Sequence, residues 1–166
     1  MAVEYSASWV VISLGNRFRG DDSVGPYILH RLRSQLAGIA ECIENSGDMT
    51  RLMEDWSGRR VCMVDALVDD SREVGDILRL DGLAEPMPES VSTTSSHGLN
   101  LGEAIELGRI MQALPLELKL FGICGRNFNT SAELSPAVID AAVIVEKEIL
   151  EQLIPQGGDH QCTNNP

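Results

Sequence analysis

The fold of this chain is constrained most by a regular alternation of short, β-branched apolar runs with segments of helical periodicity. The apolar runs have the length and composition of strands, and they lie at Trp9–Leu14, 40–43, 61–64, 75–80 and 117–124. Between them, apolar side chains recur every three or four residues at 24–36, 49–56, 100–114 and 136–153. This order predicts an α/β fold: a single domain with a twisted, mostly parallel five-stranded sheet and helices on both faces.

The length of 166 residues fits one such domain, which we expect to span residues 1–154. Residues 155–166 are polar, and we expect a disordered tail there. The first residues carry neither a basic leader nor a small-residue cleavage site, and no stretch approaches the roughly 20 apolar residues of a membrane span. The sequence therefore predicts a cytoplasmic protein with no membrane contact, and a monomer is the default expectation.

The charge balance opposes nucleic-acid binding. The chain has 25 acidic and 13 basic residues, a formal net charge of −12, so its surface repels phosphate backbones. The four cysteines include no Cys-x-x-Cys pair, and the sequence has no Gly-x-Ser-x-Gly elbow and no P-loop. Redox, serine-esterase and nucleotide-binding motifs are therefore absent.

Polar residues follow several of the predicted strands, and in α/β folds the working residues gather beyond the carboxyl ends of strands. Asn16, Asp21 and Asp22 follow the first strand, Asp65 follows the run at 61–64, and His97 lies in the loop after the fourth strand. We expect these loops to converge on one edge of the sheet. One of the two adjacent aspartates is expected to cap the next helix, which leaves the other carboxylate to be explained.

Two carboxylates and one imidazole in these loops suggest a metal site. Asp22, Asp65 and His97 form an oxygen–oxygen–nitrogen set that suits a borderline divalent ion such as Ni(II) or Zn(II). Each residue also has a structural alternative: a helix cap for Asp22, a cap or a hydrogen bond to a neighbouring loop for Asp65, and an exposed loop position for His97.

The segment Gly-Asn-Arg-Phe-Arg-Gly-Asp-Asp-Ser-Val-Gly at 15–25 resembles the G-N-x-x-x-x-D-[DE]-x-x-G motif of the hydrogenase maturation proteases. These endopeptidases trim the C-terminus of the [NiFe]-hydrogenase large subunit. Val-Asp-Ala at 64–66 and Ser-His-Gly at 96–98 resemble the family's second and third motifs, and the similarity extends from about Val10 to Leu153. Ser23 departs from the glycine that many members have, and 44–47 departs from their acidic, glycine-rich turn.

The resemblance implies that Asp22, Asp65 and His97 contact a metal and carry the catalysis. The resemblance also implies that the metal is nickel, supplied by the substrate precursor rather than permanently bound. The implied activity is removal of a short C-terminal extension from the nickel-loaded precursor of a [NiFe]-hydrogenase large subunit. We expect water to attack with the help of the metal, and Asn16 and Asp21 to orient the metal-contacting groups.

Two other functions remain open at this point. One is a non-proteolytic, nickel-sensing assembly factor for the same large subunit. The other is a peptidyl-tRNA hydrolase, a family whose first strand also ends in a Gly-Asn turn. That family needs a histidine shortly after the turn, where this chain has Asp21 and Asp22, and the net charge opposes a tRNA substrate.

Overall fold

The computed structural model describes residues 8–84, 87 and 100–155. These residues form five strands and four α-helices, which alternate along most of the chain as the sequence predicts. The elements are, in chain order, β1 (Trp9–Leu14), α1 (Val24–Leu32), β2 (Ala40–Asn45), α2 (Met49–Trp56), β3 (Arg60–Leu67), β4 (Ile77–Asp81), α3 (Leu101–Ile110), β5 (Glu117–Cys124) and α4 (Pro136–Leu153). A short 3₁₀ turn, Gly20–Ser23, precedes α1.

The five strands form one sheet in the order β2-β1-β3-β5-β4. The pairs β1–β2, β1–β3 and β3–β5 are parallel, and β4 lies antiparallel to β5 at one edge. This arrangement confirms the predicted mostly parallel α/β sheet. The parallel strands β1, β3 and β5 therefore share one carboxyl edge.

Apolar residues cover both faces of the sheet, because alternate side chains of a strand point to opposite sides. On one face Val11 packs in a core cluster to which α1 and α4 contribute. On the other, Val10 and Ile12 pack in a cluster to which α2 and α3 contribute. All of β1 is buried, as expected of a central strand in a sheet covered on both sides.

The sequence misplaced two features that concern the candidate site. β3 continues beyond the predicted 61–64, since its pairing with β5 extends to Leu67 opposite Cys124, so Asp65 lies inside the strand rather than after it. β4 runs antiparallel, so the chain leaves it at the edge opposite to the carboxyl ends of the other strands. The loop after the fourth strand therefore does not begin at the expected edge.

Other boundaries differ by a few residues. The predicted helix at 24–36 ends at Leu32, and that at 100–114 ends at Ile110, shortly before Gln112 adopts a φ of 55°. The predicted loop at 85–96 lies outside the described residues except for Met87, as does the tail except for Pro155. In the described part of the chain, no helix is both long and apolar enough to cross a membrane.

Candidate active site

The turn after β1 folds back so that the chain contacts its own strand end. Gly15 has a φ of +113°, and a Cβ there would lie 2.3 Å from the carbonyl oxygen of Asp22, so a side chain has no room. The backbone N–H of Asn16 donates a hydrogen bond of 2.9 Å to Oδ2 of Asp22. The Asn16 side chain instead accepts from the N–H of Phe18 at 2.8 Å. Asn16 therefore positions Asp22 through its backbone and shapes its own turn with its side chain.

The start of α1 lies over the carboxyl ends of β1 and β3. A Cβ on Gly25 would lie 2.5 Å from the carbonyl oxygen of Leu14 and 3.1 Å from that of Val64, so the helix approaches both strands as closely as glycine allows. Asp22 precedes this helix and Asp65 follows Val64, and the two carboxylates are 1% and 3% exposed. The structure thus brings Asp22 and Asp65 to the same edge of the sheet.

Each of these two carboxylates is held by a backbone donor. Oδ2 of Asp22 accepts from Asn16, and Oδ1 of Asp65 accepts from the N–H of Ala66 at 2.8 Å. The guanidinium of Arg19 lies 4.0 Å from Oδ2 of Asp22. A pair of buried, oriented carboxylates is a donor set that fits a divalent cation.

Asp21 is fully buried, and its carboxylate faces the loop between β5 and α4 rather than the strand ends. It accepts hydrogen bonds from the backbone N–H groups of Arg126, Asn127 and Ser135, at 2.9, 3.1 and 2.7 Å, and from the Ser135 hydroxyl at 2.7 Å. Burial raises the pKa of this carboxyl, but the hydrogen bonds outweigh burial and hold its pKa below the ordinary value. Any orientation of Asp22 by Asp21 acts through the turn that they share.

Neither aspartate occupies the N-cap of α1, which is Ser23. Ser135 occupies the N-cap position of α4, but its hydroxyl makes no capping bond to that helix and donates to Asp21 instead. Asn100 does cap α3, by accepting from the N–H of Glu103 at 3.0 Å. The role of Ser135 was missed because its partner lies 114 residues away in the sequence.

His97 lies outside the described residues. In the described ranges, no group of three His, Cys, Asp or Glu side chains could hold a metal ion. The three-residue metal set of Asp22, Asp65 and His97 therefore stays a prediction, of which the structure places two members at one edge.

Neither a protein-family model nor a curated protein matches this sequence. Solved structures do match its fold. The hydrogenase maturating endopeptidase HybD from E. coli is 22% identical, with 88% of this chain and 91% of that chain covered and a TM-score of 0.75. The [NiFe] hydrogenase maturation protease HybD from Thermococcus kodakarensis is 22% identical, with 89% and 99% covered and a TM-score of 0.66. The hydrogenase 2 maturation peptidase from Thaumarchaeota archaeon SCGC_AB-539-E09 is 24% identical, with 90% and 99% covered and a TM-score of 0.64.

The chain has the fold of the hydrogenase maturation endopeptidases. This agrees with the fold that the motifs at 15–25 and 64–66 imply. Within the maturation-endopeptidase fold of this chain, both motifs contribute to the same sheet edge, and each supplies one buried carboxylate there.

Proposed function

We propose that this protein is an endopeptidase that removes a short C-terminal extension from the nickel-loaded precursor of a [NiFe]-hydrogenase large subunit. The observation that carries the proposal is the burial of Asp22 and Asp65 together at the carboxyl edge of β1 and β3. Burying a carboxylate costs free energy unless donors or a cation compensate it, and a pair of buried carboxylates at one sheet edge is a donor set that suits a cation. The fold shared with proteins named as hydrogenase maturation endopeptidases supports the substrate class.

In the proposed mechanism, nickel belongs to the substrate, where it polarises the scissile carbonyl or lowers the pKa of a water. Asp22, Asp65 and His97 complete its coordination when the precursor docks. The Asn16 N–H keeps one oxygen of Asp22 in place, and the Ala66 N–H does the same for Asp65. The water oxygen bonds to the carbonyl carbon, the C–N bond breaks, and a proton passes to the leaving amine.

The test is to incubate the purified protein with nickel-loaded precursor and to measure the precursor mass. Wild type is expected to release the C-terminal extension. Asp22→Asn, Asp65→Asn and His97→Ala are each expected to lower the cleavage rate on the order of 10³-fold while the protein stays folded by circular dichroism. Asp140→Asn, at an exposed site on α4, is the matched control and should cleave normally.

Two results would contradict the proposal in different ways. An intact precursor after stable binding of wild type would favour the non-proteolytic assembly factor. Normal cleavage by Asp22→Asn and Asp65→Asn would show that the protease uses other residues, and the metal contacts would have to be reassigned.

A further inference from the structure

The outward surface of α4 is apolar along the first half of the helix. Nine of the ten residues at 136–145 are apolar, and Asp140 is the exception. Ile139, Val143 and Ile144 are 37%, 52% and 49% exposed, although the opposite side of the same helix is buried in the core. A helix that is apolar on all sides is normally covered on all sides, so this surface has the composition of a contact.

Ion pairs within the chain mark the two sides of this surface. Glu146 binds Arg31 of α1, with 2.7 Å between Oε2 and Nε. Glu148 binds Arg79 of β4, with 2.7 Å between the same two atom types. Lys147 lies between the two glutamates, and its side chain is 78% exposed. Because consecutive helical residues point about 100° apart, Lys147 projects away from the rest of the chain.

Five residues make up this outward surface, and we call them the α4 stripe: Ile139, Asp140, Val143, Ile144 and Lys147. They recur at intervals of three and four residues and are all exposed. Within the described part of the chain, Asp140 forms no ion pair, and Lys147 has only a 3.9 Å contact inside its own helix. The two charges of the stripe are therefore available to another molecule.

Two neighbouring surfaces show what a solvated helix looks like in this protein. Helix α1 contributes to the same core cluster, and its exposed residues include His30 and Arg31. The last eight residues of α4 contain four charged ones, whereas the ten before them contain one. The apolar composition therefore belongs to the α4 stripe and not to this side of the molecule in general.

The charges of the α4 stripe make it complementary to itself. Asp140 lies three residues before Val143, and Lys147 lies three residues after Ile144, so opposite charges are equally far from the apolar centre. When two α4 helices pack antiparallel across a two-fold axis between Val143 and Ile144, each Asp140 lies level with Lys147 of the other copy. A two-fold contact uses the same surface on both copies, and this stripe meets that requirement.

We propose that the α4 stripe binds a second copy of this chain in an antiparallel, two-fold helix pair, with Val143 and Ile144 at its centre and an Asp140–Lys147 ion pair at each end. The stripe has five residues, against roughly 20–30 on each side of a standard interface, and the net charge of −12 opposes association. The dimer is therefore weak and reversible, with a dissociation constant on the order of 10⁻⁵–10⁻⁴ M.

This dimer differs from the monomer expected from the sequence, and it does not depend on the proposed function. At the roughly 1 μM protein of a cleavage assay the chain is mostly monomeric, because that concentration lies well below the dissociation constant. Asp140→Asn therefore stays a valid control for cleavage.

The test is an exchange of charges measured by sedimentation at about 1–500 μM protein. Asp140→Lys places a lysine level with Lys147 of the other copy, and Lys147→Asp places two aspartates level with each other. Each change should raise the dissociation constant on the order of tenfold or more, because like charges meet at both ends of the contact. The double variant Asp140→Lys with Lys147→Asp restores opposite charges and should return the dissociation constant to within about threefold of wild type.

The apolar centre is tested with Val143→Ser, which should also raise the dissociation constant on the order of tenfold. Two variants on α3 are matched controls. Glu106→Lys makes the same change of charge as Asp140→Lys at a side chain that is 69% exposed, and Ile110→Ser removes an apolar side chain that is 78% exposed. Neither control should weaken the dimer, and circular dichroism checks that all variants are folded.

Restoration by the double variant supports a second copy in this register, because a role of the two residues within one chain would not be restored by exchanging them. Wild type that stays monomeric over the whole concentration range overturns the proposal. A dimer that survives Asp140→Lys and Val143→Ser also overturns it, since that dimer uses another surface. Weakening by both single charge changes without restoration overturns the antiparallel pairing. Loss of precursor binding by Val143→Ser, with wild type monomeric, would assign the stripe to the precursor instead.

Discussion

The 3₁₀ turn Gly20–Ser23 separates two regions that use buried carboxylates differently. On the loop side, Asp21 receives four hydrogen bonds from the segment 125–135 and ties that segment to the turn. On the sheet side, Asp22 lies with Asp65 at the carboxyl edge of the sheet. Two adjacent residues of one type, equally buried, thus have separate tasks: the first joins two loops, and the second faces the edge where we propose hydrolysis. The two aspartates of this motif therefore have different roles, and measurements of stability and of activity can separate them.

The largest stability effect is expected for Asp21→Ala. The change removes the acceptor of three backbone N–H groups and one hydroxyl at a partly buried site, which lowers the free energy of unfolding by about 3–5 kcal/mol. Asp22→Ala should lose less than half as much stability while losing cleavage, because functional groups are seldom placed for stability. Urea unfolding of both variants beside wild type measures the difference, and equal losses would erase the distinction between the two regions.

Gly20→Ala should disrupt the same contact between the turn after β1 and the segment 125–135, by a change in the turn. Gly20 has a φ of +51°, and the added Cβ would meet the Asn127 carbonyl at 2.1 Å, so both strain and displacement contribute about 2–4 kcal/mol of destabilisation. Gly58→Ala is the control, since Gly58 has a φ of +67° with nothing within 4 Å of its Cβ position, and strain alone costs about 1 kcal/mol. Equal melting temperatures of the two variants in a thermal unfolding scan would show that the Asn127 carbonyl moves aside without loss of stability.

The sheet and its helices could be predicted because their signals are local. Strand β5 and helix α2 were predicted to the residue, since the mostly apolar run of β5 and the apolar stripe of α2 both result from burial against the core. The end of β3 could not be predicted, because Asp65 looks like a strand stop until its pairing with Gly122 is known. The antiparallel direction of β4 is likewise a property of long-range pairing and leaves no mark in five residues.

The candidate site was predicted only in part for a related reason. Motif similarity points to both Asp22 and Asp65, and the two lie at one edge of the sheet, although Asp65 lies within β3 and not after it as the strand-end argument expected. The task of Asp21 depends on Arg126, Asn127 and Ser135, which lie more than 100 residues away. The sequence contained one usable clue, the two aspartates before a single helix, which meant that at least one of them had a partner other than the helix.

Ser135→Ala should test one bond of the loop region on its own. The variant removes the hydroxyl that donates to Oδ2 of Asp21 at 2.7 Å and keeps the backbone N–H bond to Oδ1. One hydrogen bond to a charged acceptor is worth about 1–2 kcal/mol, and the helix loses no side-chain cap because this hydroxyl does not provide one. Combining the change with Asp21→Ala in a double-mutant cycle should give strong non-additivity. Simple addition of the two losses would mean that the hydroxyl stabilises α4 by another route.

The smallest expected effect is a dependence of stability on pH that arises at Asp21. Its folded-state pKa lies below the ordinary value of 3.8, so the carboxylate contributes stability that is fully present above that value and is lost as pH falls through the lower, folded-state pKa. The gap in unfolding free energy between wild type and Asp21→Ala should therefore be constant near neutral pH and narrow below about pH 4. Urea unfolding at a series of pH values measures this gap.

Asp69→Ala is the control variant. Hydrogen bonds from Ser71 also lower the pKa of Asp69, but Asp69 lies at an exposed turn. The difference in unfolding free energy between wild type and Asp69→Ala should therefore change less with pH than the difference for Asp21→Ala. If the difference for Asp21→Ala instead widened in acid, burial of Asp21 would outweigh its four hydrogen-bond donors. The folded state would then favour the protonated carboxyl over the charged carboxylate.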